Sequence, residues 1–271
     1  MYLAKRQVRR ILWESEYIAF CILESLLGRK RCSELTPFRS HVDPVLGFFR
    51  TQHLSEENSL WFIDRMWQIV PDDSKAICAE VRRDYLRPAK GDLVLDAGAH
   101  YGLYTLLASH LVGGKGLVVS FEPSSKNYLG LLRNLKMNKV SNVKALRIAI
   151  GDFDGEGNLF LHRYSPGHSM ILKGVDSFET VPVRKIDSIV DGLGLRRVDL
   201  VKIDCEGWEL NVLRGAISTI ERYQPRLIVA AYHYDGQVEE TERWFKENSL
   251  PYTVTKSIPF SHGGILQMAP I

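Results

Sequence analysis

From Val8 onward the apolar residues Ile11, Leu12, Ile18, Ala19, Ile22, Leu23 and Leu26 return every three or four positions, the spacing of one helical face, and Gly28 can close it. An amphipathic helix is therefore expected over 2–28. From Thr36 to Pro88 turn signals (Thr36-Pro37, Asp43-Pro44, Pro71-Asp72-Asp73) alternate with helix-like stretches at 56–69 and 74–86. The pattern predicts an N-terminal helical extension over 1–89 that carries no chemical motif. Past Pro88 the period shortens: β-rich runs at Leu93 to Asp96, Leu117 to Glu122, Val143 to Ile148, Val198 to Asp204 and Leu227 to Tyr234 alternate with helix-length segments at 102–112, 124–138, 207–222 and 236–248. Strands separated by helices require right-handed crossovers, so 90–271 is expected as one α/β domain with a doubly wound, mostly parallel sheet covered on both faces. A last pair of runs, 252–257 and 264–269, joined through Pro259 and Gly263-Gly264, predicts a terminal hairpin.

Composition narrows the class without changing that picture. In 271 residues, 45% hydrophobic and 25% charged side chains are enough to bury a full core, which excludes disorder as the main state. Cys21, Cys32, Cys78 and Cys205 form no CxxC pair and lie near no histidine cluster, so neither a structural zinc site nor a disulfide framework is expected, and a reducing, cytoplasmic setting fits. The net charge of +3 is small for a nucleic-acid binder, and no nucleic-acid partner is expected. Residues 1–31 alone carry +4, from seven Lys or Arg against Glu14, Glu16 and Glu24. The first helix thus has two uses open to it, packing against protein, including a second copy, or docking peripherally on an anionic membrane surface.

In doubly wound sheets ligands bind beyond the carboxyl ends of the strands, where strand order reverses. After the first strand comes Asp96-Ala97-Gly98-Ala99-His100-Tyr101-Gly102, in which Gly98 and Ala99 permit close backbone approach and a helix starting near Gly102 directs free N–H groups at an anionic ligand end. The Gly98-x-x-x-Gly102 spacing is not the GxGxxG of a dinucleotide site. The second strand ends in Glu122, 24 residues after Gly98, where an acceptor-only carboxylate suits a ribose diol. The third ends Ala149-Ile150-Gly151-Asp152, and Asp152 can meet an adenine amino group. The fourth reads Val198-Asp199-Leu200-Val201-Lys202-Ile203-Asp204-Cys205-Glu206-Gly207-Trp208-Glu209. Alternation puts Lys202 and Asp204 on one side, where charges need a partner, either an ion pair or a ligand.

Together, Asp96 to Thr105, Phe121-Glu122-Pro123, Ala149 to Asp152 and above all Lys202 to Glu209 with Leu213 to Ala216 resemble the FkbM-type methyltransferases, over about residues 90–271. That resemblance implies a seven-stranded, Rossmann-like class I methyltransferase sheet, S-adenosylmethionine as cofactor, and methyl transfer to a hydroxyl of a sugar, glycolipid or small metabolite. It places Asp96, Gly98 and Ala99 at the methionine end of the cofactor, Glu122 at the ribose and Asp152 at the adenine. His100 falls in the same cofactor-binding group, at a position where family members carry a small polar residue.

Methyl transfer is an in-line displacement, so the enzyme must hold an acceptor oxygen about 3 Å from the methyl carbon and offer its proton a base. Asp204, Glu206 and His233, the last at the end of the fifth strand, are the candidates: Asp204 and His233 at the reacting centre, Glu206 positioning substrate or capping its helix. Two neighbouring carboxylates do not make an octahedral site, and no metal is expected. The loop Ser165-Pro166-Gly167-His168-Ser169 is a candidate lid. The alternatives are a nucleotide-dependent oxidoreductase on a related sheet and a non-catalytic nucleoside-binding protein.

Overall fold

A computed structural model describes residues 40–43, 48–51, 88–161, 168–171, 177–260 and 263–271. The helices expected at 2–28, 56–69 and 74–86 lie outside the described residues, as does most of the candidate lid. Within the extension expected to be helical, two strands appear instead. β1 (Ser40–Asp43) and β2 (Phe48–Thr51) pair antiparallel, Ser40 opposite Thr51 and Asp43 opposite Phe48. Each is four residues long, too short for its alternation to stand out in the sequence, while the Asp43-Pro44 turn between them did.

The main sheet has seven strands. β3 (Leu93–Ala97), β4 (Leu117–Phe121) and β5 (Val143–Leu146) run parallel, as do β9 (Leu200–Ile203) and β10 (Arg226–Ala231), and the hairpin β11 (Tyr252–Phe260) and β12 (Gly263–Pro270) closes one side. Their order is β11-β12-β10-β9-β3-β4-β5, with β12 antiparallel to β10. Strand order therefore reverses between β3 and β9, and the crevice beyond their carboxyl ends is the ligand position of this topology.

β3 is buried along its whole length, as a central parallel strand with both faces covered must be. Its residues divide by parity. Leu93, Leu95 and Ala97 join Val201, Ile203, Val229 and Ala231 in the larger core. Val94 joins Leu200, Ile228 and the inner face of α1 (Leu103–Val112), through Ala108 and Val112, in the smaller one. The same parity turns Asp96, Lys202 and Asp204 toward the α1 side, as the alternation predicted.

α2 (Ser125–Met137) follows β4, with the Ser124 hydroxyl accepting from the Asn127 N–H, and α6 (Gln237–Glu247) follows β10. A single helix was expected over 207–222, but there are two, α4 (Glu209–Arg214) and α5 (Ile217–Tyr223), broken at Gly215-Ala216. A Cβ on Gly215 would lie 1.9 Å from the Gly151 carbonyl oxygen, so the backbone at Gly151 stands where a side chain of a continuing helix would go. Also absent from the sequence reading is a small sheet, β6 (Ala149–Ile150), β8 (Phe178–Arg184) and β7 (Gly155–Phe160) in that order, with α3 (Ile186–Gly192) after it.

Candidate active site

The tips of β3 and β4 form one half of the crevice. Gly98, His100 and Gly102 all have positive φ, so the chain coils tightly after β3. Its amides turn inward: Gly98 and Ala99 N–H donate to the Phe121 carbonyl at 3.1 and 2.9 Å, and His100 N–H donates to Glu122 Oε2 at 2.8 Å. The missing side chain of Gly98 admits protein as well as any ligand, since a Cβ there would stand 1.9 Å from the Asp204 carbonyl oxygen. Non-glycine residues rarely hold a φ of +80°, which adds to the constraint. What remains directed outward is the first turn of α1, whose N-cap Gly102 offers no side-chain cap and which carries no acid, leaving amides for an anionic group.

Asp96 is fully buried. Its carboxylate receives the Thr105 hydroxyl at 2.6 Å and the Lys202 ammonium at 3.1 Å, the two residues standing opposite each other in the β3–β9 register. Lys202 Nζ also donates to the Gly98 carbonyl at 2.8 Å. The ion pair weighed for Lys202 is thus made, and it clamps the loop. Burial opposes the ammonium charge, but Asp96 and Asp204 outweigh it and hold the Lys202 pKa above its usual value.

Glu122 is buried, and burial pushes its carboxyl up to about 7, against the backbone N–H donors of Ser124 and His100 and the Asn127 amide. His100 is pulled down to about 3 by burial first, then by His168 and Lys202, so its ring is neutral. Asp152 stands apart from these groups, bonded to the Asn211 amide of α4 at 3.1 Å.

The tips of β9 and β10 form the other half. Asp204, Glu206 and His233 converge, each offering one atom within 4.8 Å of the others. His233 Nε2 is 3.6 Å from Asp204 Oδ1 and 3.5 Å from Glu206 Oε2, and Nδ1 is 3.3 Å from Glu209 Oε1. Glu206 and Gly207 both have positive φ, making a tight turn that lifts Glu206 beside Asp204. Its backbone is held by the Ser169 hydroxyl, which donates to the Glu206 carbonyl at 2.8 Å.

The residue that sequence reasoning missed is Glu209. Fully buried, its carboxylate accepts the Cys205 and Gly207 N–H groups at 2.7 and 3.2 Å and the Gln237 amide at 2.5 Å, and it faces His233. An acid in the first helical turn looks like an ordinary dipole partner, and only the turn before it shows that this one folds back. Around the cluster, burial pulls the His233 pKa down, but Glu209, Asp204 and Glu206 together lift it to about 9. Burial and then Asp204 raise Glu206 to about 8.

At the switch point of the sheet stand an acid at each of the β3 and β4 tips and, at the β9 and β10 tips, a charged cluster. Residues 96–254 match the Methyltransferase FkbM domain family. The chain belongs to that family.

The chain is 27% identical over 179 residues to "Methyltransferase 1" of Beauveria bassiana, covering 57% of this chain and 64% of that protein. To "Methyltransferase sdnD" of Sordaria araneosa it is 29% identical over 192 residues, covering 59% and 74%. The crystal structure of methyltransferase FkbM from Methylobacillus flagellatus KT superimposes with a TM-score of 0.48 at 21% identity, over 65% of this chain and 43% of that one. The chain thus spans less than two thirds of the length of the first and third of these.

Proposed function

We propose that this protein transfers the methyl group of S-adenosylmethionine to a hydroxyl oxygen of a small hydroxylated molecule, sugar or glycolipid. The observation that carries this reading is the convergence of Asp204, Glu206 and His233 within 4.8 Å, directly across from the Gly98 loop that presses on the Asp204 carbonyl. The residues present fit the cofactor: a buried carboxylate at the β4 tip for a ribose diol, and an uncapped helix start for a carboxylate.

When bound, the cofactor would supply a methyl activated on sulfonium, with its thioether as the leaving group. Glu122 would accept from the ribose hydroxyls with the lone pairs that His100, Ser124 and Asn127 leave free. The first turn of α1 would take the carboxylate, with Asp96 and Lys202 fixing the loop between them, and Asp152 would meet the adenine amino group. On the acceptor side, Asp204 receives the hydroxyl proton. Its side chain is 29% exposed, so the proton has a path to water. His233 and Glu206 orient the acceptor beside it.

Asp204→Asn tests the assignment. With radiolabelled methyl donor and a panel of hydroxylated acceptors, methyl transfer falls by about a hundredfold or more, while calorimetric affinity for S-adenosylhomocysteine stays within about twofold. Undiminished transfer rejects Asp204 as the proton acceptor. Lack of any S-adenosylhomocysteine binding by the unaltered protein rejects the reading as a whole.

A further inference from the structure

Among the described residues, the His233 ring is a buried polar group without a hydrogen bond of good geometry. Its side chain is 7% exposed, and its nitrogens meet only carboxylate oxygens through long contacts, Nδ1 to Glu209 at 3.3 Å and Nε2 to Glu206 and Asp204 at 3.5 and 3.6 Å. A buried polar ring without hydrogen bonds is costly, and the cost persists where another ligand satisfies it. Three ligand atoms around one divalent transition cation at about 2.1 Å stand about 3.0 to 3.4 Å apart. The two separations from Nε2, 3.5 and 3.6 Å, are a few tenths of an ångström wider at most, and all three ligand atoms lie within 4.8 Å of one another.

The surroundings supply the second requirement of a metal centre. A histidine that ligates metal through one nitrogen typically gives the other to a carboxylate, and Nδ1 faces Glu209 Oε1 at 3.3 Å. Glu209 is itself held in place by the Cys205 and Gly207 N–H groups and the Gln237 amide. Asp204 and Glu206 are 29% and 31% exposed, so one side of the cluster is open for further ligands.

We infer that Asp204 Oδ1, Glu206 Oε2 and His233 Nε2 form a facial site for one divalent transition cation, of the Mn2+ or Zn2+ type, whose open positions hold the oxygens of the methyl acceptor. One imidazole with two carboxylates favours these ions over Mg2+ and Ca2+, which take oxygen ligands. This departs from the absence of metal expected from the Asp204 and Glu206 pair alone, because only the fold brings His233 to them. It rests on the acceptor-side role proposed above and gives that role a means: a hydroxyl held on the cation loses its proton to Asp204 more readily.

The test uses the full chain stripped with a chelator. Loss of the electron paramagnetic resonance signal of free Mn2+ reports binding, and calorimetry with S-adenosylhomocysteine is run in parallel with and without chelator. One Mn2+ per chain is expected, weakened at least about tenfold in Glu206→Gln and in Glu209→Gln, with nucleoside affinity unchanged. Glu206 is partly exposed, so its amide variant keeps the fold, which near-ultraviolet circular dichroism verifies. A protein that binds S-adenosylhomocysteine but no Mn2+ at millimolar concentration overturns the metal site and leaves the methyltransferase reading intact. Mn2+ binding that Glu206→Gln and Asp204→Asn both leave undiminished overturns it equally. Mn2+ binding without nucleoside binding supports the site and sinks the transfer reaction instead.

Discussion

The two halves of the crevice are built on opposite terms. At the β3 and β4 tips every charge has a counterpart: Asp96 with Lys202 and Thr105, Glu122 with two backbone N–H groups and an amide. At the β9 and β10 tips, Asp204, Glu206 and Glu209 crowd one histidine through contacts of 3.3 to 3.6 Å. The first arrangement is a rigid mould, fixed before any ligand arrives. The second gathers three carboxylates on one imidazole, a concentration of like charge of the kind that marks functional-site candidates.

Breaking the mould costs stability first. Gly98→Ala drives a Cβ into the Asp204 carbonyl at a φ of +80°, and thermal unfolding is expected to show a loss of about 4 kcal/mol or more. An unchanged melting temperature would mean that the two halves do not touch there. Lys202→Met leaves the Asp96 carboxylate buried without its counter-ion, and denaturant titration is expected to report about 3 kcal/mol. Adding Asp96→Asn should then recover part of that loss. If the double variant is worse than the single by a full additional increment, the two side chains do not act as a pair.

Glu122→Gln separates binding from folding. The carboxylate is worth about tenfold or more in S-adenosylhomocysteine affinity, since a charged acceptor makes the stronger hydrogen bonds. Because the folded group titrates at about 7, above its ordinary 4.5, it holds its proton more tightly in the folded chain than in the unfolded one. Its contribution to stability is therefore full below about 4.5 and is lost as pH rises through about 7, whereas nucleoside binding, which needs the carboxylate, strengthens over the same window. The amide variant should show neither slope in paired denaturation and calorimetry series. The smallest change is Tyr232→Phe: its hydroxyl donates to Asp204 Oδ1 at a long 3.4 Å, and about 0.5 kcal/mol or less is expected from its loss.

The main sheet was legible because β3, β4, β9 and β10 are continuous apolar runs flanked by amphipathic helices, a pattern local enough to see in ten residues. The small sheet was not. β7 (GEGNLF) and β8 (FETVPVR) alternate weakly and carry Gly and Pro, and their pairing spans a loop that no local signal closes. In the site, Asp96, Glu122, Asp204 and His233 were each readable as polar residues ending an apolar strand. Gly98 and Ala99 were expected only to let backbone approach a ligand; that their amides bond to β4 comes from three positive-φ residues that coil the loop against its neighbour.

Sequence alone determined the period of the strands, the acids at their tips and the motif that places the chain among the FkbM methyltransferases. Tertiary structure decided which of those tips meet. Asp204 and His233 are 29 positions apart and share a cluster, whereas Asp152 turns to α4 and Glu209, given no role by its sequence, becomes the buried prop of the histidine. Chain order fixes what each strand carries, but strand order in the sheet fixes its neighbours, and that order is a property of the packed whole.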